Sequence, residues 1–378
     1  MKLHQKVVSP AIHDREERFY YERARQGDSA EIEAILELQP FEGRIGLAYT
    51  RRPDALGSFL LEGDPVDVVV CRDRQEGRIA AMGISAVRRL HVNGQPREIG
   101  YLFGLRARPE YVRAFPLHRG YARLYELQSR PTSFFLTSIL EENLYARRLL
   151  EKKRPFMPVY EPVCAYTIFA MGTGRLARRA ARKGVRRAYP SDLLRLVSFL
   201  AEHGTGQQFF PVVTKDSFGR PPFATLRAED FLLWEEQGSI VAAAGLWAQR
   251  SYRQYRVTGY KGLLHLLRPL SRALSLWGFP ALPRTGEEVP YLTLCLPTVR
   301  GNDPALFGEF MDEVLAAARG SSLLLAGVAA GNPFEPILAA RRHLSYRSRI
   351  YLVSWPDQAP AVSEVRRDMP LHIECGLL

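Results

Sequence analysis

One order of periodic segments runs through this chain twice, and that repetition limits the folds open to it more than any other feature. In the first passage a short β-prone stretch, Phe19 to Arg25, enters Gly27, Asp28 and Ser29. Asp28 or Ser29 can cap a helix that places Ile32, Ile35 and Leu36 on one face. Asp67 to Arg72 reads as a buried strand, turning through Arg74 to Gly77 into a partner from Ile79 to Leu90. The pair Asn93-Gly94 is a strong hairpin signal. A strand from Glu98 to Arg108 stops at Pro109, and Leu117 to Ala122 then lead into a helix that ends near Ser129. Phe134 to Leu140 is β-prone, Asn143 to Glu151 helical, and Val163 to Met171 the closing strand. The second passage has Val185 to Ala188 extended and a helix capped at Ser191-Asp192. A hairpin then joins Phe231–Glu235 to Ser239–Ala248, and Tyr291 to Leu296 is a strand. A helix Ala305–Ala318, a strand Leu323–Ala329, a helix Phe334–His343 and a strand Arg349–Trp355 complete it.

Two units of this kind predict an α+β protein in which mixed twisted sheets are flanked by helices. The 378 residues match about two domains at roughly 150 residues each. The expected limits are an extension 1–18, a first domain 19–172, a basic linker 173–184, a second domain 185–357 and a tail 358–378. Hydrophobic residues at 46% and charged residues at 24% exclude a disordered or fibrous chain. The longest clean apolar stretch, Ile240 to Ala248, falls short of the roughly 20 residues of a membrane span. Met1 to Tyr20 mixes charged residues without an apolar core, so no cleavable secretory signal is expected.

Cys71, Cys164, Cys295 and Cys375 form no Cys-x-x-Cys pair, and the histidines show no ligand spacing. Neither a metal nor a disulfide framework is expected, and a reducing cytoplasm is the simplest location. The net charge of +12 suits a polyphosphate cofactor, an anionic membrane face or nucleic acid, and composition does not choose among them. Seven basic residues and no acid run from Arg175 to Arg187, a solvated helix or a weak argument for RNA. Gly172-Thr173-Gly174 opens a Gly-x-Gly-x-x-Ala run, but Asp192 caps a helix where a dinucleotide site needs an acid ending a strand. Tyr260 to Phe279 carries leucines at 263, 264, 266, 267, 270, 274 and 276, as an amphipathic helix broken at Pro269 would. The readings open to it are packing between the domains, a lid over a substrate and a surface-binding helix.

The element order resembles the GCN5-related N-acetyltransferase (GNAT) superfamily, and the whole chain resembles bacterial proteins with two such domains in tandem. The resemblance rests on the opening Arg23 to Asp28, on Tyr101 to Tyr111 as the central strand and its exit, and on the helix Asn143 to Lys152. It covers about 130 residues of the first half. The resemblance implies two splayed parallel strands that bind the pantetheine arm of an acyl-CoA as an added strand. It also implies a pyrophosphate held on backbone N–H groups at a helix start.

The family's glycine-rich phosphate loop is altered here. Counting on from Tyr111, its glycine places fall on Arg113, Phe115 and Leu117; a slipped alternative is Arg119, Gly120, Tyr121 and Ala122. The resemblance thus assigns acetyl-CoA, or another acyl-CoA, to Leu105, Arg106, Ala107, Arg113, His118, Arg119, Gly120, Tyr121, Ala122 and Asn143. Leu150 stands where the family places a tyrosine acid, leaving Tyr145 and Tyr160 as proton donors, with Glu98 as the candidate base. In the second domain Asp303 and Pro304 put a negative charge and a missing N–H where an anion would sit. The expected activity is acyl-CoA-dependent N-acyl transfer to an amine, in a cleft lined by Phe41 to Tyr49. The alternatives are an inactive GNAT-shaped scaffold and a basic RNA-binding protein.

Overall fold

The structure is a computed structural model and describes residues 18–38, 40–41, 43–114, 116–173, 184–275 and 281–378. The N-terminal extension up to residue 17, residues 174–183 of the basic linker and the end of the leucine-rich segment lie outside the described residues. So does most of the Gly172–Ala177 fingerprint.

The first half supplies β1 (Phe19–Arg23), β2 (Ile45–Thr50), β3 (Val66–Asp73), β4 (Ile79–Val92), β5 (Gln95–Ala107), β6 (Phe135–Leu140) and β7 (Val159–Gly172). The second half supplies β8 (Val185–Arg187), β9 (Phe231–Glu236), β10 (Ser239–Trp247), β11 (Gln254–Tyr260), β12 (Tyr291–Val299), β13 (Leu323–Ala329) and β14 (His343–Ser354). Asn93 and Gly94, at φ +54° and +79°, make the tight turn between β4 and β5, as their sequence predicts. The helix Ser29–Glu37 buries Ile32, Ile35 and Leu36. The expected helix 334–343 is the shorter Glu335–Ala339, because His343 already begins β14.

All strands but two join one mixed sheet of twelve, in the order β1-β3-β4-β5-β6-β14-β7-β13-β12-β10-β9-β8. The halves exchange their last strands. β14 pairs with β6 from Ser348–Leu140 to Val353–Phe135 and with β7 along its length, while β7 pairs with β13 from Gly172–Leu323 to Tyr166–Ala329. One core cluster therefore draws on both halves, with Tyr101, Leu136 and Tyr166 beside Ala329, Ile350 and Leu352. The remaining strands, β2 and β11, form a separate antiparallel ribbon that ties the halves together, with Thr50 opposite Gln254 and Ile45 opposite Tyr260. Neither strand is visible in the sequence, where partners 204 residues apart leave no local pattern.

The leucine-rich segment breaks where Pro269 predicts. The helices Leu263–Leu267 and Ser271–Leu274 flank a single 3-10 turn, Arg268–Leu270. Leu264 packs on the core of the β2–β11 ribbon, and Leu263, Leu266 and Leu270 face solvent. Among the described residues no helix is long and apolar enough to cross a membrane. Residues 358–378 do not trail away: Ile373, Cys375 and Leu377 are buried.

Candidate active site: an open cleft and a filled one

β5 and β6 run parallel and touch only at Gly100–Phe135 and Tyr101–Leu136, after which the two strands part. Gly104, at φ +62°, sits in the bulge where the β4–β5 register slips between Met82 and Ile84. A side chain at 104 would strike Ile84, so this kink needs glycine. The segment Leu102–Arg106 is left without a strand partner on its β6 side, and the Leu102 carbonyl accepts from the Thr137 hydroxyl.

The parted strands open into a cavity of about 400 Å³. From the first half Leu102, Leu105, Leu124, Ile139 and Leu150 give it an apolar wall; Tyr255, Tyr291 and Leu344 close it from the second. Phe41, Ile45, Leu47 and Tyr49 line it, as does Tyr260. One end meets the helix Leu117–Glu126 at Leu117 and Gly120. That helix starts after Pro116 with no side-chain cap, leaving a positive dipole end beside the cavity.

The structure gathers some of the residues singled out from sequence and scatters others. Leu105, Arg106, Gly120, Tyr121, Asn143 and Tyr160 line the cavity. Asn143 caps its helix by accepting from the Ala146 N–H at 3.0 Å. The Tyr160 and Tyr121 hydroxyls meet at 2.5 Å, and burial holds the Tyr160 phenol well above its ordinary pKa. Gly120 lies in the first turns of the helix, not in a loop, and a Cβ there would come within 3.0 Å of the Tyr21 ring. Arg113, His118 and Ala122 are exposed, and neither they nor Arg119 and Ala107 line the cavity. Tyr145 is 53% exposed on the far side of its helix, and Glu98 is engaged in an exposed ion pair with Arg130.

One feature escapes the sequence reading: a buried charge cluster in the cavity wall. Glu62 pairs with Arg51 and Arg253, each at 2.6 Å, and with Arg88 at 3.2 Å. Although burial alone would raise its pKa, the three guanidinium groups pull the Glu62 carboxyl down to about 2. Burial lowers the pKa of Arg88, which also donates to the carbonyls of Glu62 and Leu377. Arg88 sits in β4 beside a second arginine, Arg89, and its partners come from distant segments, so no local pattern marks the cluster.

The second half builds the same parting of strands and then closes it. β12 and β13 pair only from Tyr291–Leu323 to Thr293–Leu325. Leu296, three residues on as Gly104 is from Tyr101, has φ +48°. Its N–H donates at 2.8 Å to the buried carboxylate of Glu374, which also accepts from the Gly376 N–H. Residues His372 to Cys375 fill the gap, and about 10 Å³ remains. The neighbouring helix Pro304–Ala317 is capped by Asp303, whose carboxylate accepts from the Ala305 N–H at 2.8 Å.

No family model matches the chain, and no curated protein matches it. Among solved structures, Saccharomyces cerevisiae N-myristoyltransferase with bound myristoyl-CoA aligns over 89% of this chain and 80% of its own, at TM-score 0.58 and 10% identity. The same enzyme with myristoyl-CoA and inhibitors aligns over 94% and 87%, at TM-score 0.57 and 10% identity. A GCN5-related N-acetyltransferase from Anabaena variabilis aligns at TM-score 0.47 and 12% identity, over 89% and 72%. The N-myristoyltransferase alignments give the chain that enzyme's fold, a large mixed sheet flanked by helices, in keeping with the α+β class expected from its element order.

Proposed function

We propose that this protein is an acyl-CoA-dependent N-acyltransferase working in the first cleft. One observation carries the reading: the strands part beside an uncapped basic helix start, and the opening leads into an apolar cavity of about 400 Å³. In this reading the site belongs to a first unit spanning 19–172, with a second unit, 185–357, supplying the opposite wall. The pantetheine arm lies along Leu102–Arg106 as an added strand, near Asn143. The pyrophosphate sits at the helix start by Gly120, with Arg113, His118 and Arg119 supplying positive charge around it. Leu102, Leu124, Ile139 and Leu150 suit an acyl chain longer than acetyl, acetyl-CoA being the smallest cosubstrate the cleft takes.

The chemistry is direct transfer. The deprotonated amine attacks the thioester carbonyl, the C–N bond forms, the C–S bond breaks, and the departing thiolate takes a proton. The backbone at Leu105 and Arg106, which line the cavity, stabilises the developing oxyanion through its N–H groups. Among Tyr145, Tyr160 and Glu98, Tyr160 has the right place, lining the cavity with its proton held by burial. A cytoplasmic location fits four cysteines that are all unpaired.

Calorimetric titration with acetyl-, octanoyl- and palmitoyl-CoA tests the reading. Micromolar binding, tighter for the longer chains and lost in Gly120→Glu, is expected, because a carboxylate there repels the pyrophosphate. No binding to any of the three overturns it and leaves the inactive scaffold.

A further inference from the structure

Among the described residues, the side-chain carboxylates at the cavity wall are fewer than the guanidinium groups they face. Arg51, Arg88 and Arg253 are 1%, 5% and 3% exposed, and among the described residues they share one side-chain carboxylate, Glu62. Arg253 also donates to the backbone oxygens of Gly376 and Leu378. Among the described residues, three buried guanidinium groups thus face one side-chain carboxylate. Two nitrogens of the cluster, Arg51 Nη1 and Arg253 Nε, are buried without a partner.

Arg106 adds a further cation on β5. Its Nε is buried and unpartnered, its Nη1 donates to the Leu105 carbonyl at 3.3 Å, and its guanidinium carbon lies 5.5 Å from the Phe41 ring centre. Arg51, Arg106 and Arg253 all line the cavity. Tyr49 accepts from Arg51 Nε at 2.5 Å, and its ring lies 6.4 Å from that of Phe41, beside which Arg106 sits.

Arginine does not shed its proton inside a protein, so an unpaired buried guanidinium is relieved by an arriving anion. Its planar fork matches a carboxylate with two parallel hydrogen bonds. The phosphates of an acyl-CoA have their own place at the helix start by Leu117 and Gly120, whereas this cluster draws Arg253 from the second half.

Resting on the acyltransfer reading, we propose that the amine acceptor carries a carboxylate that seats on Arg106 with Arg51 and Arg253 behind it, so that the acceptor is an amino acid. The aromatic rings of Phe41, Tyr49 and Tyr255 flank the position and favour apolar side chains. The amino acid's ammonium group loses two protons, one to solvent and one to the departing thiolate. Its nitrogen bonds to the acyl carbon, and the products are an N-acyl amino acid and CoA as its thiol.

The test uses the full chain with whichever of acetyl-, octanoyl- or palmitoyl-CoA binds by calorimetry, and follows thiol release. Acceptors are glycine, leucine and phenylalanine, each beside its amide. The free amino acids are expected to react with kcat/KM at least fiftyfold above the amides. Because the pantetheine arm pairs with the β5 backbone and not with this side chain, Arg106→Gln is expected to raise the acceptor KM at least tenfold and to change the acyl-CoA Kd by a much smaller factor, and Arg106→Lys to restore part of the loss. Amides reacting as well as acids, or an unchanged KM in Arg106→Gln, overturns the proposal. So does acyl-CoA binding with no acylation of any amino acid, which leaves the cofactor reading standing; absent acyl-CoA binding defeats both.

Discussion

The two halves make the same break in the same place and then treat it in opposite ways. In the first, the strands part after Tyr101, a positive-φ residue follows three positions later, and no described segment enters the opening. In the second they part after Thr293, Leu296 takes the positive φ, and Glu374 occupies its N–H. The helix starts differ alike: Pro116 offers no side-chain cap, whereas Asp303 covers the N–H groups of Ala305 and Leu306. A carboxylate fixed by the chain itself excludes an anionic ligand from the same N–H groups. The same parting of strands thus leaves one cavity of about 400 Å³ and one of about 10 Å³, where residues 372–375 have become core.

The sharpest way to break this contrast is to remove the filling carboxylate. Glu374→Ala leaves the buried N–H groups of Leu296 and Gly376 without their acceptor. At about 1–3 kcal/mol for each stranded buried group, a loss of about 3 kcal/mol is expected, read as a lowered midpoint in urea unfolding. Calorimetry on the variant should still give one acyl-CoA per chain, because Asp303 keeps the second helix start closed. A stoichiometry of two would show that the second cleft is a masked site.

The open cleft should also carry a pH dependence of its own. The Glu62 carboxyl is held at about 2 in the folded chain, against an ordinary 4.5, so the unfolded chain binds the proton more readily. Its stabilising contribution is therefore complete above about pH 4.5 and fades as the pH falls towards 2. The expected size is about 3 kcal/mol, and Glu62→Gln should remove the acid-dependent part while costing about 3–5 kcal/mol at neutral pH. Urea midpoints from pH 7 to pH 3 check this; an equal acid slope in wild type and variant would assign the sensitivity elsewhere.

What was legible in the sequence follows the range of the interactions. The hairpin at Asn93-Gly94, the helix face of Ile32, Ile35 and Leu36 and the break at Pro269 are local, and the structure has all three. The β2–β11 ribbon and the insertion of β14 between β6 and β7 depend on partners from opposite halves, which no local period encodes. The site divides along the same line. Asn143 and Gly120 were found through local motifs, whereas Glu62, Arg51 and Arg253 meet only after folding and show no spacing in the chain. Glu98 and Tyr145 were placed near the cleft by strand and helix order, but side-chain direction sends both outward.

Tyr160 sharpens the contrast on the chemical side. Phenylalanine there strands the Tyr121 hydroxyl and should cost about 1 kcal/mol of stability. Loss of the proton donor to the thiolate should lower kcat about a hundredfold with the acyl-CoA Kd unchanged. Tyr145→Phe, altered on an exposed ring, should change neither. Equal kcat values in the two variants would remove Tyr160 from the chemistry.

The smallest expected effect tests which device closes the second cleft. Asp303→Ala removes the cap of the helix Pro304–Ala317 and should cost about 1 kcal/mol, the usual value for an N-cap. The exposed N–H groups regain water, so the loss stays modest. Acyl-CoA stoichiometry should remain one, because Glu374 and residues 372–375 still occupy the parting of β12 and β13. If instead Asp303→Ala alone yields a second, weaker acyl-CoA site, the helix start decides where this fold holds its ligand. If only the pair Asp303→Ala with Glu374→Ala does so, the parted strands and the helix start are both required, as the first cleft combines them.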